Sequence, residues 1–402
     1  KSYFTWMGTK PVVDISEPAL IREVLANYNT YQKQKGGNQL AKLLVSGLVD
    51  RDGDQWVKHR KIINPAFHME KLKHMIPAFH VSCSEMIYKW EKLLTHDISC
   101  EVDVCAYLQT FSSDVISRTA FGHEYCANKV RSDRFLPTKD NKRMKEIDQL
   151  VRDSIKSIIN KRIVAMEAGE ASHDDLLGIL LDSNYKEIKH HGNSDFGLSI
   201  EEVIEECKLF YFAGQETTGN MLVWTMILLG QHLEWQTRAR EEVLHVFKDK
   251  APDVEGLSHL KVMNIIFNEV LRLYSPVALI RRQIHHESKL GNLTLPAGTI
   301  IQINTLILHH DKDMWGEDVN EFNPRRFSEG VSKVINGKVY LPFGSGPRIC
   351  IGQNFAILEA KMALVMILQR FCFKLSPSYL HAPHLMPALQ PQFEAHLILR
   401  KL

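Results

Sequence analysis

The residue in this 402-residue chain best placed to do chemistry is Cys350, in the decapeptide Phe343-Gly344-Ser345-Gly346-Pro347-Arg348-Ile349-Cys350-Ile351-Gly352. Three glycines and a proline make a tight irregular loop in which backbone can approach another group closely. The sulfur falls just before a helical pattern that opens near Gln353. Exposed N–H groups and the positive end of the helix dipole favour a thiolate there. A thiolate so placed serves as nucleophile, redox sensor or metal ligand; the alternative is an inert buried cysteine at a helix start.

Three further clusters carry chemistry by type and spacing. Ala213-Gly214-Gln215-Glu216-Thr217-Thr218 sets a glycine, an acid and two hydroxyls inside a helical run. A mid-helix glycine costs roughly 1 kcal/mol against alanine and so needs a reason, either a flat neighbour or close helix packing. Glu269 and Arg272 stand at i and i+3, on one helix face, where a surface ion pair is the simplest reading. Trp56 and Arg60 stand at i and i+4 and can donate together to one carboxylate.

The elements that must position these groups are mostly helical. Short strand patterns over residues 3–7 and 11–15 precede a helix over 17–28. A longer helix is predicted within 70–94, and others over 260–274 and 353–371. Ser199 and Glu202 form a capping box before an apolar run, which predicts a helix over 200–232, roughly 50 Å long and apolar on several faces. Residues 277–307 turn strand-like, broken at Gly291-Asn292 and at Pro296-Ala297-Gly298, while 184–197 reads as an exposed loop. The fold class is therefore mainly α with a minor β lobe.

Composition removes other classes. The 45% hydrophobic and 24% charged content is that of a globular protein, and 49 basic against 47 acidic residues give no nucleic-acid signature. Seven scattered cysteines, none spaced C-x-x-C, indicate neither a zinc ribbon nor a redox pair. The paired histidines 190–191, 285–286 and 309–310 lack the spacing of a zinc hydrolase. No apolar run of about 18 residues occurs in the chain, and no phosphate-cradling glycine motif is present.

Phe343, Gly346, Arg348, Cys350 and Gly352 match F-x-x-G-x-R-x-C-x-G, and the chain thereby resembles the cytochromes P-450. The segment 213–218 is similar to that family's oxygen-activation sequence. Glu269 and Arg272 resemble its E-x-x-R, with Arg326 of Pro324-Arg325-Arg326-Phe327 as third member; Arg325 stands where the family has glutamate. The resemblance covers nearly the whole chain and is nearest the plant seventy-two clan, the group that includes secologanin synthase. It implies one catalytic domain over 1–402, with a long distal helix over haem b. A membrane anchor before Lys1 and a helix and loop near 130–131 are expected and missing from the sequence.

The same resemblance implies roles. Cys350 is the iron ligand, and Trp56, Arg60, Arg282 and Arg348 contact the propionates. Phe343, Ala213 and Gly214 lie against the ring, while Thr217 and Glu216 handle dioxygen and protons. Glu269, Arg272 and Arg326 hold the cysteine loop. Leu48, Val49, Phe212, Ala213, Val277, Ala278, Leu279, Pro387, Ala388 and Leu389 line the substrate site, and their apolar character suits a rigid lipophilic molecule. The implied reaction is monooxygenation of a plant terpenoid (triterpene, gibberellin-type diterpenoid or iridoid). Electrons come from NADPH through a reductase on the endoplasmic reticulum, the catalytic domain facing the cytosol as a monomer. Lys58, His59, Arg60 and Lys61 offer a basic surface for that partner. A haem-thiolate isomerase or dehydratase, and a haem- or lipid-binding protein without turnover, are the alternatives.

Overall fold

The computed structural model describes residues 2–34, 46–94, 98–122, 139–169 and 174–402; the segment expected to be missing near 130–131 lies outside them. The chain enters through strands β1 (Ser2–Met7) and β2 (Lys10–Ile15), helix α1 (Pro18–Ala26) and strand β3 (Gln32–Lys33). Helices α2 (Gly53–Ile63), α3 (Met69–Lys73) and α4 (Ile76–Leu93) lead to β4 (Ser99–Asp103) and α5 (Val104–Phe121). Six helices follow: α6 (Lys139–Glu167), α7 (Leu176–His191), α8 (Ile200–Gln231), α9 (Leu233–Phe247), α10 (Val254–His259) and α11 (Lys261–Leu273). Strands β5 (Leu279–Gln283), β6 (Ser288–Leu290), β7 (Leu293–Leu295) and β8 (Ile300–Asn304) precede short helices α12 (Thr305–His309), α13 (Lys312–Trp315) and α14 (Val331–Val334). Helix α15 (Gln353–Arg370) is followed by β9 (Phe371–Leu375), β10 (Pro383–Leu385), β11 (Leu389–Pro391) and β12 (His396–Lys401). The mainly helical class with a minor strand content is observed.

Two compact units divide the chain. The larger comprises Lys1–Gln34, Phe79–Ser112 and Glu216–Leu402, the smaller Lys35–Ala78 and Ser113–Gln215. In the larger, a five-stranded sheet runs in the order β1-β2-β8-β5-β3. Its core includes Val13, Ile15, Ile21, Leu25, Ile301, Ile303 and Leu341, so the sheet and α1 grip the chain just upstream of the cysteine loop. Helix α15 is buried without interruption from Leu358 to Leu368, the pattern of a helix enclosed on every face. Its end feeds a second sheet, β4-β12-β9, in which Leu397 pairs with both Val102 and Leu375.

In the smaller unit the capping box forms as expected: Ser199 N–H donates to Glu202 Oε2 at 2.9 Å and Glu202 N–H to Ser199 Oγ at 3.2 Å. The longer helix expected within 70–94 forms as α4, preceded by the short α3. One expectation fails. Most of the loop expected over 184–197 is helix, because α7 runs on to His191 and stops at Gly192 in the left-handed region. Polarity misled there. Buried Asn184 is held by Leu198 through both amide atoms, at 3.0 and 2.6 Å, and basic residues in the last turn suit the helix dipole.

Candidate active site

The cysteine loop is shaped by backbone. Cys350 N–H donates to Phe343 O at 2.9 Å and Gly344 N–H to Leu341 O at 3.1 Å, closing both ends of the loop. Gly346 takes φ +71°, and a Cβ there would lie 2.4 Å from the carbonyl oxygen of Leu25, so only glycine fits against α1. Arg348 places its guanidinium 6.0 Å from the ring centre of Tyr28. Cys350 itself is exposed, three residues before α15 begins. Burial alone pushes the Cys83 thiol far up, and burial first, with nearby acids, does the same to Cys207. Position, not residue type, sets the exposed Cys350 apart from these buried thiols.

Behind the loop lies the charge cluster expected to hold it, and it is buried rather than on the surface. Glu269 and Arg272 are both 0% exposed. Arg272 donates from Nε and Nη2 to the two oxygens of Glu269, at 2.8 and 2.7 Å, and from Nη1 to His309 O and Val319 O, at 2.8 and 2.7 Å. Arg326 Nε stands 3.6 Å from Glu269 Oε1 and its Nη1 donates to Trp315 O at 2.8 Å, whereas Arg325 is exposed.

His309 transmits this cluster to the loop, a role the sequence reading missed. Its carbonyl receives Arg272, while its Nε2 accepts the Leu341 N–H at 3.0 Å. Burial foremost, then the Arg272 charge, depresses its pKa to about 3, so the ring is the neutral acceptor this contact requires. The unfolded chain protonates this imidazole below its ordinary 6.5 and the folded chain does not. Its contribution to stability is therefore complete above 6.5 and falls as pH drops from there toward about 3. His309→Ala is expected to cost about 1–3 kcal/mol, the penalty for an orphaned buried N–H. It should also flatten that acid slope in denaturation measured across pH; an unchanged slope counts against the assignment.

The oxygen-activation candidates sit where α8 opens. From Thr218 to Gly230 every residue is buried, yet residues 211–217 are half-buried and Ala213 is exposed. Glu216 Oε1 accepts Asn220 Nδ2 at 3.3 Å, and Gln109 Nε2 fixes Asn220 Oδ1 at 2.8 Å. Burial raises the Glu216 carboxyl above the usual range despite the Asn220 bond, so it keeps its proton to higher pH. Of the two reasons open for Gly214, close helix packing has a visible neighbour. A Cβ there would meet Ile116 Cδ1 at 3.1 Å, so close packing of α5 requires it.

The remaining candidates divide by burial. Arg282 on β5 is 4% exposed, and in the smaller unit Trp56 is buried and Arg60 half-buried. Leu48, Ala278, Ala388 and Leu389 are buried; Val49, Val277 and Pro387 are exposed, and Phe212 and Leu279 fall between. The structure ties two of these segments together, since Leu389 N–H donates to Pro276 O at 3.0 Å. The basic surface expected at 58–61 is corrected. His59 is wholly buried, with Nδ1 2.6 Å from Glu206 Oε1 and Nε2 3.2 Å from Glu202 Oε1. Lys58 and Lys61 are engaged by Gly197 O and Glu187 at 2.9 and 2.7 Å.

An exposed cysteine at a helix start, on a loop tied through His309 to a buried ion cluster, is the arrangement the sequence pattern called for. The family model for cytochrome P450 matches residues 1–135 and 126–386. The chain belongs to that family, the haem-thiolate enzymes that use dioxygen as monooxygenases. Cytochrome P450 CYP72A219 of Panax ginseng is 57% identical over 425 residues, covering the whole of this chain and 82% of that protein. Cytochrome P450 72A397 of Kalopanax septemlobus is 51% identical over 424 residues, again the whole chain and 81% of the relative. A Glycyrrhiza uralensis protein named 11-oxo-beta-amyrin 30-oxidase is 50% identical over 424 residues, the whole chain and 81% of its length.

The residues present fit a haem. The donor is an exposed cysteine sulfur, on a loop in which a Cβ at Gly344 would meet nothing within 4 Å. Among the described residues no helix is long and apolar enough to cross a membrane.

Proposed function

We propose that the chain oxidises a C–H bond of a large lipophilic terpenoid, a triterpene before a gibberellin-type diterpenoid or an iridoid, with NADPH as electron source through a partner reductase. The observation that carries the substrate class is the wholly apolar set of candidate lining side chains. The relative named as an oxidase of 11-oxo-beta-amyrin supports it. Haem b is the cofactor, and residence on the endoplasmic reticulum, facing the cytosol as a monomer, completes the reading. Phe343, Gly344 and Ile349 border an open groove of about 590 Å³ with Lys261 at its rim, which gives an electron donor access to the loop.

Bound haem supplies the activation of dioxygen and the oxidation itself. Cys350 would hold it by sulfur, with Arg282, Arg348, Trp56 and Arg60 at its acidic groups. The protein's own task is placement and proton supply. Burial lets the Glu216 carboxyl keep its proton to higher pH than usual, Asn220 and Gln109 fix that carboxyl, and Thr217 presents a hydroxyl one residue on. The apolar residues exclude water.

Reductase-coupled turnover on a panel of triterpenes, diterpenoids and iridoid glucosides tests the reading. NADPH-dependent hydroxylated triterpenes are expected. Oxidation of no panel member defeats it, and NADPH-independent rearrangement of a hydroperoxide favours the isomerase alternative. Thr217→Ala is expected to retain haem but to lower product formed per NADPH by roughly tenfold, the balance appearing as peroxide, because a positioned proton carrier is lost. Unchanged coupling removes Thr217 from the mechanism.

A further inference from the structure

Tyr28, just past the end of α1, faces the cysteine loop. Its ring centre lies 6.0 Å from the guanidinium carbon of Arg348, two residues before Cys350. The face of an aromatic ring attracts a cation at that range. The ring is mounted from both sides along its own chain. Asn27 folds back on α1, its backbone N–H donating to Glu23 O at 3.1 Å and its Nδ2 to the same oxygen at 3.0 Å. Tyr31 N–H donates to Asn27 O at 3.0 Å, and the Tyr31 ring is 2% exposed with its hydroxyl on Lys289 O at 3.3 Å. The loop is fixed against the same turn, because Gly346 at φ +71° packs on Leu25 O with no room for a Cβ. Ring and guanidinium are thus each carried by backbone that is anchored without their contact. An arginine passing an aromatic by chance needs neither mount.

We propose that Tyr28 is a positioning residue whose ring face holds the Arg348 guanidinium where the acidic groups of bound haem need it, and so sets how firmly haem is retained and at what potential it is reduced. The inference rests on haem binding at Cys350, with Arg348 at the acidic groups. Without the ring, the guanidinium stays charged but gains freedom, and it neutralises those carboxylates less completely. Uncompensated negative charge loosens the cofactor and favours ferric over ferrous iron. The face of the ring does this, not its hydroxyl.

Haem-loaded parent, Tyr28→Leu and Tyr28→Phe are compared by transfer of haem to excess apomyoglobin and by redox titration. Tyr28→Leu is expected to lose haem roughly two- to fivefold faster than the parent, the size of one cation–ring contact near the surface. Its reduction potential should move to the negative side. Tyr28→Phe keeps the ring face and should match the parent in both. In an Arg348→Gln background the Tyr28→Leu change should add nothing, because the side chain through which it acts is gone. A merely structural tyrosine would give the same effect in both backgrounds. Tyr28→Met takes the place of Tyr28→Leu should that variant not accumulate. A parent without the thiolate band under carbon monoxide overturns haem binding at Cys350, and the proposal with it. A parent with the band, whose Tyr28→Leu variant keeps the parental rate and potential or shows its full effect without Arg348, overturns the role of Tyr28 alone.

Discussion

Cys350→Ser is expected to abolish turnover and the absorption band that thiolate-ligated reduced haem gives under carbon monoxide, while leaving the fold intact. Both halves follow from the loop. The side chain is exposed, so the replacement opens no core cavity, and the backbone bond from residue 350 to Phe343 O does not depend on the side chain. Stability should move by less than about 1 kcal/mol, as for surface substitutions. The ligand, however, is lost. A serine hydroxyl is not ionised at neutral pH, and it lacks the electron donation by which a thiolate promotes O–O cleavage. A serine variant that keeps the band and the turnover would show that the sulfur at 350 is not the ligand.

Arg272→Ala is expected to be the most destabilising single change in the charge cluster, on the order of 3–5 kcal/mol, because it strands the Glu269 carboxylate in a dry interior. That is a large part of the roughly 5–15 kcal/mol that holds a typical protein folded. Every N–H of this guanidinium is used: two on Glu269, two on the His309 and Val319 carbonyls, and one on Glu321 O at 3.2 Å. Arg272→Lys should rescue little, since an ammonium offers three donors without the planar fork. Denaturant titration and the yield of haem-loaded protein measure the effect. A loss within about 1 kcal/mol would make the cluster incidental to the loop.

What the sequence showed of the site was what lies close together along the chain. The cysteine loop, the capping box at Ser199 and the Glu269–Arg272 spacing are local patterns, and each forms as read. What failed depends on partners far away. His309 looked like half of an uninformative histidine pair because its value comes from the Leu341 N–H, 32 residues on. His59 looked like surface charge within Lys58-His59-Arg60-Lys61. Its spacing from Trp56 and Ile63 nonetheless places it on the buried face of α2, a helix-period signal that charge had masked. Helix α7 hides its continuation behind polar residues anchored by Asn184.

The pairing of β12 with β4 has a consequence for biosynthesis. Strand β4 ends at Asp103, and its neighbour begins only at His396, so at ribosomal speeds of ~5–20 residues per second it waits on the order of tens of seconds. Until β12 leaves the exit tunnel, β4 and β9 both present bare edges. Loss of His396–Lys401, whether by a premature stop or by trimming, would leave those two strands without a common partner, the condition in which nascent chains self-associate.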